Sequence, residues 1–216
     1  MSAPGTGPLL ARLRAKGAGN LVRIALILGR RRAWSAVYAA WLRAHGVRVG
    51  RGVSFAGRIR VNGDPRRVTI GDGCSLHRGV TFWTHWYGAG HGEIVLGRRV
   101  TMLTHVTLNS WERITVGDDS AFGDGCYVQD NDHGTEPGTP VMRQPCHGAP
   151  IAIGRDVWLG ARCIVLKGVT VGDGTVVGAG SVVVKSLPAG VVAVGVPCRA
   201  VKRRGGGALP EAERAA

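Results

Sequence analysis

Residues 153–183 read IGRDVWLGARCIVLKGVTVGDGTVVGAGSVV. An aliphatic residue recurs at every sixth position, at Ile153, Leu159, Val165, Val171, Val177 and Val183. Four residues after each stands a small or aliphatic one: Val157, Cys163, Val169, Thr175, Ser181 and Leu187. Glycine follows four of the six leading positions, at Gly154, Gly160, Gly172 and Gly178. A helix repeats its apolar positions at about 3.6 residues and a plain strand at about 2. A period of six fits neither. It fits short strands joined by tight turns, wound as a triangular coil of 18 residues that buries its aliphatic ring by stacking on the next coil.

The same rhythm reaches back to Val49. Val49, Phe55 and Val61 form one set, followed by Ile70, Leu76 and Phe82, then Leu96, Met102 and Leu108, then Val116, Phe122 and Val128. The intervals between sets expose insertions: 14 residues from Phe82 to Leu96, eight from Leu108 to Val116, and 25 from Val128 to Ile153. Loops thrown out of a solenoid are where its function gathers, because the coils are occupied with stacking. The largest runs from Gly134 to about Pro150 and follows the segment DNDHG.

Composition sets the class. The chain has 216 residues, 35 of them glycine and 44 % apolar, without the every-third-residue glycine of collagen, which excludes a fibre and a disordered chain. The expected division is a basic helical segment over 1–48, a solenoid over 49–202 and a flexible tail over 203–216. The net charge is +14, yet residues 1–67 carry 14 Arg or Lys against the single acid Asp64, whereas residues 68–197 carry 9 basic and 11 acidic residues. No base-reading motif accompanies this charge, so nucleic acid is not expected as a partner. No apolar run reaches a bilayer span and the opening residues lack a signal-peptide pattern, so the expected compartment is the cytoplasm. Five cysteines without a C-x-x-C spacing argue against a disulfide framework and a thiolate zinc site. Cys74, Cys126 and Cys163 fall on inward positions, Cys146 lies in the long loop, and Cys198 belongs to GVPCRA.

The segment from Leu9 to about His45 reads as helical, broken around Gly17 and Gly19, with Asn20 as a cap. Leu21, Ile24, Ile27, Leu28, Trp34, Val37, Tyr38 and Trp41 approximate an apolar stripe beside the basic run Arg30, Arg31 and Arg32. Two readings stand: peripheral contact with an anionic membrane surface, or packing against the solenoid or a neighbouring subunit.

Residues 49–202 resemble the hexapeptide-repeat acyltransferases. The repeat, the DNDHG segment before the long loop, and the closing stretch from IGRDVWLG to GVPCRAVKRR are similar to those of the maltose, galactoside, antibiotic and surface-polysaccharide acetyltransferases. The resemblance implies an all-β solenoid, a left-handed parallel β-helix with an N-terminal helical segment and a long loop excursion. It also implies a homotrimer with sites between neighbouring β-helices, acetyl-CoA as donor, and a hydroxyl of a saccharide or cell-surface polysaccharide precursor as acceptor. A natural-product or antibiotic hydroxyl, an amino sugar, and a non-catalytic scaffold are the alternatives.

In the resembled enzymes the histidine before the long loop is the base, and the matching residue is His133. The reaction asks for such a group independently: a sugar hydroxyl hardly ionises at neutral pH, so its attack on a thioester requires proton removal as the bond forms. Asp130 and Asp132 are the candidates to fix its tautomer. By the resemblance Trp158 lines the site, Ala161 and Ala179 admit the pantetheine arm, and Lys185 and Arg199 lie towards the coenzyme phosphates. The bland readings are turn packing for the alanines and a solvated face for the cations. A polar amide and an acidic residue that help bind acceptor in the maltose and galactoside enzymes fall at Leu103 and Trp111, so their hydrogen bonding is absent here. Trp83, His85, Trp86, His105, Asn109 and Trp111 are the candidates for a different acceptor surface, with tryptophans either stacking on a sugar ring or covering the coil. His85 and His91 lie six residues apart without an obvious carboxylate ligand, and no metal is expected.

Overall fold

Stacking of the aliphatic columns organises the whole chain. The computed structural model describes residues 18–84 and 91–209, in which short strands line up as three parallel faces of a left-handed β-helix. The first face contains Val68–Ile70, Glu93–Leu96, Arg113–Val116, Ile151–Ile153 and Thr170–Val171. The second contains Ser54–Ala56, Ser75–His77, Ala121–Phe122, Trp158–Leu159 and Val176–Val177; the third contains Arg60–Gly63, Thr81–Thr84, Thr107–Asn109, Tyr127–Gln129, Ile164–Val165 and Val182–Val183. Register follows the repeat: Val49 pairs with Ile70, Ile70 with Leu96, Leu96 with Val116, Val116 with Ile153, and Ile153 with Val171. A slip of one residue would turn a column outward, and burying each Val, Leu or Phe contributes roughly 1.5–3 kcal/mol.

The corner between the first and second faces shows why glycine follows the leading residue. A Cβ on Gly71 would lie 2.2 Å from the carbonyl oxygen of Gly97, so the coils approach there as closely as backbone allows. The residues after these glycines alternate in sign up the stack: Arg51, Asp72, Arg98, Asp118, Arg155 and Asp173. Each aspartate accepts the backbone N–H of the arginine in the neighbouring coil, at 2.6 Å for Arg51 to Asp72, 2.7 Å for Arg98 to Asp118 and 2.8 Å for Arg155 to Asp173. The backbone N–H first, and the guanidinium after it, hold the Asp118 and Asp173 carboxyls below the usual carboxylate range.

Both ends of the stack are closed. At one end stands α1 (Ala18–Ala44). It runs without interruption through Gly19 and Asn20, where the sequence suggests a break and a cap; one glycine costs a long helix about 1 kcal/mol, which its continuation absorbs. Leu9–Gly17 lie outside the described residues. The packed stripe also differs from the expected one: Ser35, Tyr38, Ala39 and Leu42 are buried, while Ile27, Leu28, Trp34, Val37 and Trp41 are exposed. Among the described residues the first coil has no strand beneath it, and two hydroxyls take that place. Ser35 Oγ accepts from Phe55 N–H at 2.9 Å, and Tyr38 Oη accepts from Ile59 N–H at 3.2 Å while donating to the Ile59 carbonyl at 3.1 Å. The Tyr38 ring meets Phe55 edge-on, with centroids 5.1 Å apart. At the other end, the antiparallel hairpin Val191–Gly195 and Cys198–Arg203 covers the last coil. Among the described residues no helix is long and apolar enough to cross a membrane.

The charge ladder has a sign that can be tested. Carboxyls depressed in the folded state stabilise it above their ordinary unfolded value, and that contribution is lost as pH falls through the folded value. The double variant Asp118→Ala, Asp173→Ala is expected to melt below the wild type at neutral pH, with the two curves converging in acid. A constant separation across the titration would show that ionisation plays no part in the ladder.

Candidate active site

The eight-residue interval between Leu108 and Val116 places extra backbone donors at the corner between the third and first faces. Asp130, fully buried, gathers them. Its carboxylate accepts from the N–H groups of Trp111 at 2.5 Å, Glu112 at 3.0 Å and Arg113 at 2.8 Å, and from Ser110 Oγ at 3.0 Å. These four bonds engage the carboxylate with the corner rather than with an imidazole.

From this corner the chain leaves the solenoid as a two-stranded antiparallel ribbon, Asn131–His133 against Cys146–Gly148. The register sets His133 opposite Cys146, whose Sγ lies 3.5 Å from Nδ1 and 3.8 Å from Nε2 of the half-buried ring. Asp132 points to solvent and forms an ion pair with Lys167. Neither acid therefore contacts the histidine; the thiol does. Beyond the ribbon, the buried Gln144 amide closes the loop on itself, accepting from Glu136 N–H at 2.8 Å and donating to the carbonyls of Glu136 at 2.9 Å and Thr139 at 2.7 Å. Cys146, Gln144 and Lys167 carry no periodic signal in the sequence, because ribbon pairing and loop closure have no repeat to announce them.

The expected acceptor residues separate. Trp83, Asn109 and Gln129 form one outward column on the third face. Asn109 Nδ2 donates to Tyr127 Oη at 3.2 Å and Gln129 Oε1 at 3.3 Å, Tyr127 Oη donates to Gln129 Oε1 at 2.6 Å, and Gln129 Nε2 donates to the Asn131 carbonyl at 2.7 Å. This polar seam runs from Trp83 to the base of the ribbon and leaves two buried acceptors unpartnered among the described residues, Oδ1 of Asn109 and Oδ1 of Asn131. Trp111 reaches the ribbon base where this seam ends, for a Cβ on Gly148, the partner of Asn131, would lie 2.7 Å from Trp111 Cδ1. His105 does not. It sits exposed at the corner between the second and third faces, in left-handed backbone conformation (φ 58°) above Gly79. His91 is exposed, and His85 and Trp86 lie outside the described residues.

The residues assigned to the donor fall in two groups. Ala161 and Ala179 are exposed at equivalent turns of successive coils, where Gly180 N–H donates to the Ala161 carbonyl at 2.8 Å. Lys185 and Arg199 line one small crevice beside the closing hairpin. Trp158 projects from the second face, 57 % exposed, whereas His133 leaves from the end of the third. Within one chain these two side chains occupy different faces. Cys74, Cys126, Cys163 and Cys198 are buried, and burial pushes the Cys74 thiol up to about 11.

Known proteins share this architecture. A family model described as the hexapeptide repeat of succinyl-transferase matches residues 150–185. A probable acetyltransferase of Mycobacterium tuberculosis is 31 % identical over 158 residues, 72 % of this chain and 52 % of the relative. The galactoside O-acetyltransferase of Escherichia coli is 38 % identical over 137 residues, 62 % of this chain and 63 % of the relative. The chain is similar to the hexapeptide-repeat acyltransferases in its repeat, its fold and these relatives. It spans about half to three-fifths of the length of these relatives. Among solved structures, an N-acyltransferase from Bacillus cereus in complex with dTDP and 3-hydroxybutyryl-CoA shares the fold, with a TM-score of 0.66 and 21 % identity over 76 % of this chain and 87 % of that one. The hexapeptide-repeat match covers the coils bearing Trp158, Ala161, Ala179 and Lys185 and stops short of the His133 ribbon.

Four buried thiols and one half-buried thiol make a selective experiment possible. An alkylating reagent applied to the folded protein is expected to add once per chain, and peptide mapping is expected to find the adduct on Cys146. Multiple adducts before unfolding would contradict the burial described here.

Proposed function

We propose that this protein is an acetyl-CoA-dependent O-acetyltransferase acting on a saccharide or cell-surface polysaccharide precursor, with His133 as general base. What supports the reading is one arrangement: a half-buried imidazole on a pinned ribbon, at the end of a polar seam with two unpartnered carbonyl oxygens. Hydroxyl groups of an acceptor are the donors those oxygens require. Trp83 and Trp111 supply apolar ring faces beside them, as sugar binding asks. The galactoside enzyme among the relatives supports the same acceptor class.

His133 takes the acceptor hydroxyl proton as the oxygen attacks the thioester carbonyl. The tetrahedral intermediate collapses with formation of the C–O ester and loss of the C–S bond, and the coenzyme thiolate receives the proton from the imidazolium. No cysteine is acylated. Asp130 acts as a positioning residue by fixing the corner from which the ribbon springs; Asp132, held by Lys167, does not touch the ring. The exposed turns at Ala161 and Ala179 suit close approach of an extended pantetheine arm, and Lys185 and Arg199 suit its phosphates.

The separation of Trp158 from His133 on different faces supports a homotrimer in which one protomer's ribbon meets its neighbour's second and third faces. The reading places the enzyme in the cytoplasm, with the donor.

Mass-resolved acetyl transfer from acetyl-CoA into a panel of saccharides, lipid-linked precursors and hydroxylated natural products tests the activity. His133→Ala is expected to lower kcat by about 10²–10⁴-fold with acetyl-CoA binding retained. Transfer undiminished in that variant would remove His133 from the chemistry, and absence of saturable acetyl-CoA binding would leave a scaffold. Co-assembly of His133→Ala with Ala179→Trp protomers is expected to restore part of the activity, since some mixed sites draw an intact ribbon and an intact donor turn from different chains. Mixtures as inactive as either parent would place each site within one chain.

A further inference from the structure

Where α1 crosses the first coil it leaves a cleft of about 660 Å³. Four arginines are among its lining residues, Arg31 and Arg32 along the helix, Arg43 near its end and Arg51 at the first corner, and no carboxylate is among the described residues that line it. Arg43 is fixed in place, its Nε donating to the Val49 carbonyl at 2.9 Å and its Nη2 to the Gly50 carbonyl at 2.7 Å. Arg31 Nε is buried and has no hydrogen-bond partner among the described residues. Asp72 reaches the edge of the group, 3.7 Å from Arg51 Nη2, but that arginine side chain is 94 % exposed, and such a surface pair contributes little.

A desolvated guanidinium N–H without an acceptor carries its full desolvation penalty, and like charges gathered in one cleft repel. An anion entering the cleft relieves the repulsion and offers the acceptor oxygens that the buried N–H lacks. Several guanidiniums around one space match a group with three or more acceptor oxygens and more than one negative charge better than they match a carboxylate. We infer that the cleft between α1 and the first coil is a binding site for a phosphate-bearing ligand. The site is separate from the His133 seam and independent of the acetyltransferase reading. Arg32 and Trp41 are nine residues apart, half a turn round the helix axis, so the exposed tryptophan flank faces away from the cleft.

The test is titration of the full chain with inorganic pyrophosphate, and separately with phosphatidylcholine vesicles and equimolar phosphatidylcholine–phosphatidylglycerol vesicles. Three proteins are compared: wild type, Arg31→Gln with Arg32→Gln, and a charge-matched control, Arg58→Gln with Arg60→Gln. The expected result is saturable pyrophosphate binding that raises the unfolding temperature, weakened at least about tenfold in the cleft variant and unchanged in the control. Binding confined to the anionic vesicles and lost in the same variant supports the cleft with a lipid headgroup as the source. No binding of either probe, or equal weakening in both variants, overturns the proposal. If the glutamine variant unfolds early, Arg31→Lys with Arg32→Lys keeps the charge and loses the bidentate fork. It is expected to fold and still bind more weakly than wild type, and undiminished binding there counts against the site.

Discussion

Close stacking of identical corners is the constraint from which the rest of this protein follows. The coils meet where a Cβ on Gly71 would fall 2.2 Å from the next carbonyl, and the aliphatic columns behind that contact are sealed only while every coil keeps the same pitch. An insertion inside a face would break the register of all the columns at once. Insertions therefore leave at corners, where a few added residues disturb turns and nothing else. The alternating Arg and Asp ladder belongs to the same corner logic, since each carboxylate secures a backbone N–H of the adjoining coil.

The candidate site is a consequence of one such departure. Two successive coils both carry additional residues at the corner between the third and first faces, and Asp130 of the second binds the extra amides of the first. A buried carboxylate filled by four donors is a stiff joint, and the ribbon bearing His133 begins at the next residue. The loop beyond is closed by the Gln144 amide, so the excursion owes its shape to polar contacts of its own rather than to the core. This division lets the scaffold stay fixed while loop chemistry varies.

Ends pose the opposite problem, because the first coil offers an unpaired strand edge. Ser35 and Tyr38 answer it with hydroxyls that serve as both donor and acceptor, while Tyr38, Ala39 and Leu42 bury the open core. A straight helix laid across a triangular coil cannot fill the whole end, and the space left over is the arginine-lined cleft.

The repeat by itself determined the scaffold: every leading residue from Val49 to Val183 is a register partner in the faces, because a six-residue period puts one inward residue on each side of a three-sided coil. That His133 stands at the mouth of the longest insertion was legible too, while its role as base came from the resemblance. The sequence could not reveal that Asp130 serves the corner, that Asp132 belongs to Lys167, that Cys146 lies against the imidazole, or that His105 stands at a different corner from Trp111. Nor could it separate Ser35 and Tyr38, which pack, from Trp34 and Trp41, which do not. Periodic burial is a local property that repeats along the chain and is written there many times over. A carboxylate's partner, a ribbon's register and a helix's docking face are each set once, by contacts between residues far apart, and only the tertiary structure decides them.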